Sequence, residues 1–159
     1  MQQLLDQLKQ QFGDAVIETS SFRGDDTAVI KVSHLIDVCR YLQESCSMNF
    51  LMDVCGVDYP ERKDRFEVVY HMYSQSTRKR IRLKVRVTEA DPHVPTVIGI
   101  WKSANWFERE AFDLFGIIFD GHPYLRRLLT YEGFEGHALR KDYPVNKRQQ
   151  IPTPISLLD

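Results

Sequence analysis

Cysteine is scarce in this sequence. Three occur in 159 residues, at positions 39, 46 and 55, and no two make a C-x-x-C pair. An odd number at such spacings implies no disulfide framework, and it lacks the clustered ligands of a zinc or iron–sulfur site. Long apolar runs are missing too. The stretch at 97–101 is among the longest, far below the roughly 20 residues that span a bilayer. Neither charge sign dominates: Lys+Arg 21 stand against Asp+Glu 22, a net −1, so no global field gathers nucleic acid. There is no G-x-G-x-x-G or G-x-x-x-x-G-K-[ST] loop to cradle phosphates and no G-x-S-x-G elbow to present a nucleophile. The five histidines are scattered at 34, 71, 93, 122 and 137, with no H-x-x-x-H pair. The opening residues have no cationic stretch followed by an apolar one, so neither a signal nor a transit peptide is expected and the chain reads as cytosolic.

What is present fits one folded domain, with 43% hydrophobic and 27% charged residues. Leu4, Leu5, Leu8 and Phe12 recur at helical spacing and Gly13 follows as a C-cap. Residues 27–32 have the β-branched content of a strand. Ser33 is placed to N-cap a second helix whose apolar face is Leu35, Val38, Cys39, Leu42 and Cys46. That face makes the thiols buried hydrophobes. Residues 50–57 suit a central strand, 65–73 a strand with Phe66, Val68, Tyr70 and Met72 inward, and 91–95 a loop with two prolines. Asn105 with Glu108 has the form of a capping box before a helix ending at Phe115, with Gly116 as its C-cap. A short strand is expected at 117–119, then a turn at Asp120 and Gly121. Leu125, Leu128 and Leu129 are spaced for a helical turn, but Gly133 and Gly136 interrupt any long element. The expected fold class is α+β: two layers, a mostly antiparallel or mixed sheet with helices on one face, then an irregular C-terminal extension. The expected division is 1–122 for the α+β domain and 123–159 for an extension that docks on a neighbour.

Two clusters carry possible chemistry. Residues 80–87 alternate Arg80, Arg82, Lys84 and Arg86 with Ile81, Leu83, Val85 and Val87. Such a strand has one basic face, which suits either nucleic acid or an edge strand charged against aggregation. On the later helix, Glu110 and Asp113 share a face and Arg109 can pair with Asp113. With His122 the carboxylates suit a metal or acid–base site, while the commoner outcome for such residues is a salt-bridged helix surface.

The segment from Trp106 to Leu129 says more. Glu108, Arg109, Glu110, Asp113, Leu114, Phe115, His122, Arg126 and Arg127 stand at the spacing of a long signature, and Gly136-His-Ala-Leu-Arg-Lys-Asp-Tyr-Pro144 forms a second block with His137, Arg140, Lys141 and Asp142. Together with Trp101 and the Ala104-Asn105-Trp106 lead-in, these blocks resemble the 30-kDa-type subunit of the proton-pumping NADH:quinone oxidoreductase, bacterial respiratory complex I. Ala138 stands where that family usually has proline and Phe134 where it often has tryptophan.

The resemblance implies a structural and assembly role in the peripheral arm, with no cofactor and no catalytic residue on this chain. The complex would carry FMN and iron–sulfur clusters and pass electrons from NADH to quinone while translocating protons. Expected partners are the large quinone-site subunit and the iron–sulfur subunits, with no nucleic acid. Membrane contact comes only through the complex, on the cytoplasmic side of a bacterial inner membrane. In this light the signature residues become interface and fold-closing groups. Arg126, Arg127, Arg140 and Lys141 are expected to form a docking surface, and residues 145–159 to order only against a partner. A homologous subunit of a membrane-bound hydrogenase or ferredoxin-dependent complex is the related alternative; a small RNA-binding module is the unrelated one.

Overall fold

The computed structural model describes residues 2–150. In chain order it contains α1 (Gln2–Phe12), β1 (Val16–Phe22), β2 (Asp25–Ile30), α2 (Leu35–Glu44), β3 (Phe50–Asp58), β4 (Phe66–Tyr73), β5 (Arg80–Val87), β6 (His93–Pro95), α3 (Ala104–Phe115) and β7 (Ile118–Asp120). One sheet has the order β1-β2-β5-β4-β3, antiparallel except for the β2–β5 pair, and β6 pairs with β7 in a small parallel ribbon. The expected α+β class with a mixed sheet is what forms.

Period-two alternation decides which face of the sheet is buried. Phe66, Val68, Tyr70 and Met72 of β4 line up with Ile81, Leu83, Val85 and Val87 of β5, and all are buried. Leu4, Leu5 and Leu8 of α1, Leu35, Val38, Cys39 and Leu42 of α2, and Ala104, Ala111 and Phe115 of α3 complete the same core. Helix-period stripes thus meet a strand-period row, as a two-layer fold requires. Cys39 is fully buried, and burial pushes its thiol up, which makes it inert.

Several local expectations are corrected. The apolar run at 50–57 suits a central strand, but β3 is an edge strand, and the basic strand β5 sits in the middle of the sheet. Its cations are accommodated because β4 places Glu67 between them. Lys84 Nζ lies 2.7 Å and Arg86 Nε 3.2 Å from the Glu67 carboxylate, and Arg86 also reaches Glu18 at 3.3 Å. Burial would raise the pKa of Glu67, but hydrogen bonds from Lys84 and Arg86 outweigh it and hold the carboxylate ionised. The Lys84 and Arg86 end of the basic face is therefore compensated inside the sheet.

Ser33 does not cap α2; residues 32–34 form a 3₁₀ turn, His34 precedes the helix without a side-chain cap, and the Ser33 hydroxyl meets His34. Asn105 lies inside α3, so the expected capping box does not form. Residues 93–95 are a strand rather than loop, because β7 supplies a partner that only the tertiary fold provides. Residues 125–129 form no helical turn. Strand β1 is mostly exposed and so weakly patterned that nothing in the sequence announces it.

Helix α3 is fixed at both ends. The indole N–H of Trp101 donates to the Met48 carbonyl at 3.1 Å, which ties the lead-in to the approach to β3. At the other end Phe115 packs onto Gly56 of β3, where a Cβ would stand 2.6 Å from the ring. Gly56→Ala should therefore overpack this contact and destabilise the chain by about 1–3 kcal/mol. At roughly 2–4 °C per kcal/mol for a chain of this size, calorimetry should show a lowered melting midpoint; an unchanged midpoint would mean that the ring yields freely.

Candidate functional site

Asp113, Arg127, His137 and Arg140 of the signature blocks meet where residues 123–150 fold back across α3. The centre is Asp113, whose side chain is fully buried. One carboxylate oxygen, Oδ2, accepts three consecutive backbone N–H groups, from Leu128 at 2.9 Å, Leu129 at 2.7 Å and Thr130 at 2.9 Å. The other accepts Arg127 Nη1 at 2.9 Å and the Thr130 hydroxyl. Burial works to raise this pKa, but the Thr130 hydroxyl and the three amides overcome it and hold the group down to about 2. The backbone carbonyl of Asp113 is used as well: His137 Nδ1–H donates to it at 2.9 Å. Burial lowers the pKa of His137.

Arg127 completes this knot by donating Nη2 to the Gly136 carbonyl at 3.0 Å. Helix α3 stops here because Gly116 turns left-handed at φ 77°, its N–H bonding back to Phe112. A Cβ at that position would stand 2.5 Å from His137 and 2.6 Å from Arg140, so glycine is required by both conformation and space. Arg140 Nε donates to the Phe115 carbonyl at 2.6 Å and its Nη1 lies 3.4 Å from Glu89.

A second knot holds the far end of the extension. Arg65 grips Asp58 in a bidentate pair at 2.8 and 2.9 Å and reaches Glu89 at 2.9 Å and Asp142 at 2.9 Å. The Lys141 backbone N–H adds a bond to Asp58 at 2.7 Å. Hydrogen bonds with Arg65 lower the pKa of both Asp58 and Asp142 and raise that of the guanidinium, so these three groups are held charged at neutral pH.

Glu108 faces the opposite way, into the core. Its carboxylate accepts the Val97 N–H at 2.8 Å and the Thr96 hydroxyl at 2.5 Å, which links α3 to the end of β6. Burial drives its pKa up to about 7 despite those two donors. His122 Nε2 comes within 4.0 Å of it. The Tyr124 N–H occupies His122 Nδ1 at 3.1 Å, so Nε2 carries the proton and donates to the Asn105 carbonyl at 3.3 Å. Burial lowers the pKa of His122. The neutral ring makes the approach to Glu108 a dipolar contact rather than an ion pair.

The structure thus separates residues that spacing groups together. Asp113 pairs with Arg127, not with Arg109, which instead donates to the carbonyls of Arg126 and Arg127 at 3.1 and 3.3 Å. Glu110 is exposed. The expected trio of Glu110, Asp113 and His122 forms no common centre, because Asp113 turns to residues 127–130 and His122 to Asn105, and among the described residues no group of three or more His, Cys, Asp or Glu side chains is placed to hold a metal. Of the four cations expected on a docking surface, Arg127 and Arg140 are bound within the chain, while Arg126 and Lys141 keep exposed side chains. Sequence reasoning misses Asp58, Arg65, Glu89, Thr96 and Thr130, since a partner distant in sequence leaves no local pattern. The described part of the extension lies on this chain's own α3 and β3–β4 turn. Much of 145–159, where ordering only against a partner is expected, falls outside the described residues.

The family of the respiratory-chain NADH dehydrogenase 30 Kd subunit matches residues 28–149, which include both knots. This chain belongs to that family. The NADH-quinone oxidoreductase C subunit of Roseiflexus sp. (strain RS-1) is 47% identical over 148 residues, covering 92% of this chain and 85% of that protein. Its counterpart in Geotalea uraniireducens (strain Rf4) is 42% identical over 145 residues, covering 91% and 88%. Among solved structures, a trypsin-resistant fragment of Nqo5 superposes with a TM-score of 0.69 at 32% identity, over 78% of this chain and 98% of the fragment. A chain of the membrane-bound sulfane sulfur reductase, an archaeal respiratory membrane complex, shares the fold at a TM-score of 0.78 and 22% identity, over 91% and 86%.

Glu108 and Asp113 respond to pH in opposite senses. Between about 4.5 and about 7 the folded Glu108 keeps a proton that the unfolded chain has released, so stability falls as pH rises through that window. Below its ordinary 3.8 the unfolded Asp113 takes a proton that the folded one refuses until about 2, so its contribution is lost on acidification. Glu108→Gln should gain on the parent chain, by on the order of 3 kcal/mol, between about pH 5 and about pH 8 in urea unfolding. Parallel pH profiles for the two chains would show that Glu108 does not titrate anomalously.

Proposed function

We propose that this chain is a cofactor-free subunit of the peripheral arm of an NADH:quinone oxidoreductase. It acts by holding neighbouring subunits in register while electrons pass from NADH, through flavin and iron–sulfur clusters, to quinone. The observation that carries this reading is the match over residues 28–149, supported by the two oxidoreductase relatives that are 47% and 42% identical over nearly the whole chain. The side chains are consistent with it. The lone pairs of Asp113 are directed at the chain's own amides and hydroxyl, and those of Glu108 at Thr96 and Val97, so both carboxylates are committed to architecture. The partners in this proposal are the large quinone-site subunit and the iron–sulfur subunits, with attachment on the cytoplasmic side of the inner membrane through them. No helix of the described residues is long and apolar enough to cross a membrane by itself.

The second reading, a homologous subunit in a membrane-bound hydrogenase or ferredoxin-dependent complex, has behind it only a fold shared with a chain of another respiratory membrane complex. The accompanying subunits separate the two. A tagged chain purified from membranes of its own host should bring NADH- and flavin-binding subunits with it. Deleting its gene should abolish NADH-driven quinone reduction, and the plasmid-borne chain should restore it. Nickel-ligating partners, or unchanged quinone reduction after deletion, would contradict the principal reading.

A further inference from the structure

One stretch of surface combines exposed aromatic rings with cations that lack an acidic partner. Trp106 is 59% and Tyr124 52% exposed, unusual for rings of that size. The Arg109 guanidinium stands between them, 5.1 Å from the Trp106 ring centre and 5.4 Å from that of Tyr124. Arg126 covers Tyr124 at 4.9 Å. The result is a ladder of ring, cation, ring and cation, running from α3 onto the extension. It is also prearranged: Arg109 is fixed by the carbonyls of Arg126 and Arg127, and Tyr124 by its N–H to His122. An open cleft of about 410 Å³ runs alongside, between Tyr124 and Gly133.

The charge balance distinguishes this surface from the rest of the α3 region. Arg65, Arg127 and Arg140 all face carboxylates. Arg109 and Arg126 make no salt bridge among the described residues. Tryptophan, tyrosine and arginine are the residue types enriched where protein interfaces concentrate their binding energy. Guanidiniums stacked on rings retain in-plane N–H groups that suit a carboxylate, while the ring faces suit apolar neighbours. A near-neutral chain, at net −1, offers no wider basic field for a phosphate backbone.

We propose that the Trp106–Arg109–Tyr124–Arg126 ladder is the docking surface for a segment of another subunit that presents a carboxylate flanked by apolar side chains. This rests on the reading of the chain as part of a respiratory complex. Docking there would clamp α3 and the extension together from outside, at the point where Asp113 already joins them from within.

The test uses the assembled complex. The photo-crosslinking substitution Tyr124→p-benzoylphenylalanine keeps an aromatic ring in the ladder and, on irradiation of the purified complex, should join this chain to one other subunit. The joined peptide should contain Asp or Glu beside apolar residues. Arg126→Glu should reduce the chain retained in the complex after a high-salt wash roughly tenfold or more, the change that about 1.4 kcal/mol produces. Arg80→Glu, on the exposed start of β5, should leave retention unchanged. If the unaltered chain purifies with no complex, the functional reading fails and this proposal with it. If the unaltered chain assembles but position 124 crosslinks to nothing, to RNA or to a second copy of itself, only the docking surface is overturned. Equal retention of the Arg126→Glu and parent chains would overturn it as well.

Discussion

The architecture depends on where a single carboxylate has been put. Asp113 lies in the last turn of α3, where the helix dipole disfavours negative charge, and it is removed from water besides. Such a group persists only if donors replace its hydration. Here three successive backbone amides, a hydroxyl and a guanidinium do so. The curl of 128–130 around one oxygen is an anion nest whose anion is supplied by the chain itself. Residues 123–150, which contain no helix or strand, acquire a defined path because their backbone completes the coordination of a helical residue.

The Arg65 cluster does the same work at the other end by a different route. A bidentate guanidinium–carboxylate pair is among the stronger polar contacts, and removing one member of such a buried pair typically costs about 3–5 kcal/mol. Because Asp58 ends β3 and Arg65 immediately precedes β4, the pair also closes the β3–β4 connection. Asp142 and the Lys141 amide then join this rigid corner. The extension is tied to the helical layer through Asp113 and to the sheet through Arg65.

Wherever one face of an element is buried, periodicity reveals it in the sequence. The stripes of α1 and α2 and the inward rows of β4 and β5 fall where the spacing places them, except that α2 ends before Cys46, whose thiol is only partly buried. The edge and centre of the sheet are not legible, because β5 reads as an edge strand until Glu67 of β4 is seen between Lys84 and Arg86. β1 lacks alternation, and β6 needs β7. In the site the signature residues are found by resemblance, yet their partners are not. Asp113 bonds to residues 14 to 17 positions away, Asp58 to a residue 83 away, and neither separation follows from a helical or strand period. Glu108 looks like a capping residue because its spacing from Asn105 is right, but burial directs it to Thr96 and Val97 instead.

Amide hydrogen exchange at Leu128, Leu129 and Thr130 tests the central claim most directly. If the Asp113 carboxylate organises the extension, these three amides are protected in the parent chain at neutral pH. In Asp113→Ala they should exchange at nearly the rate of an open loop, while Tyr70 and Leu83 in the sheet keep their protection. Equal exchange at the three positions in both chains, with the sheet intact, would contradict the account.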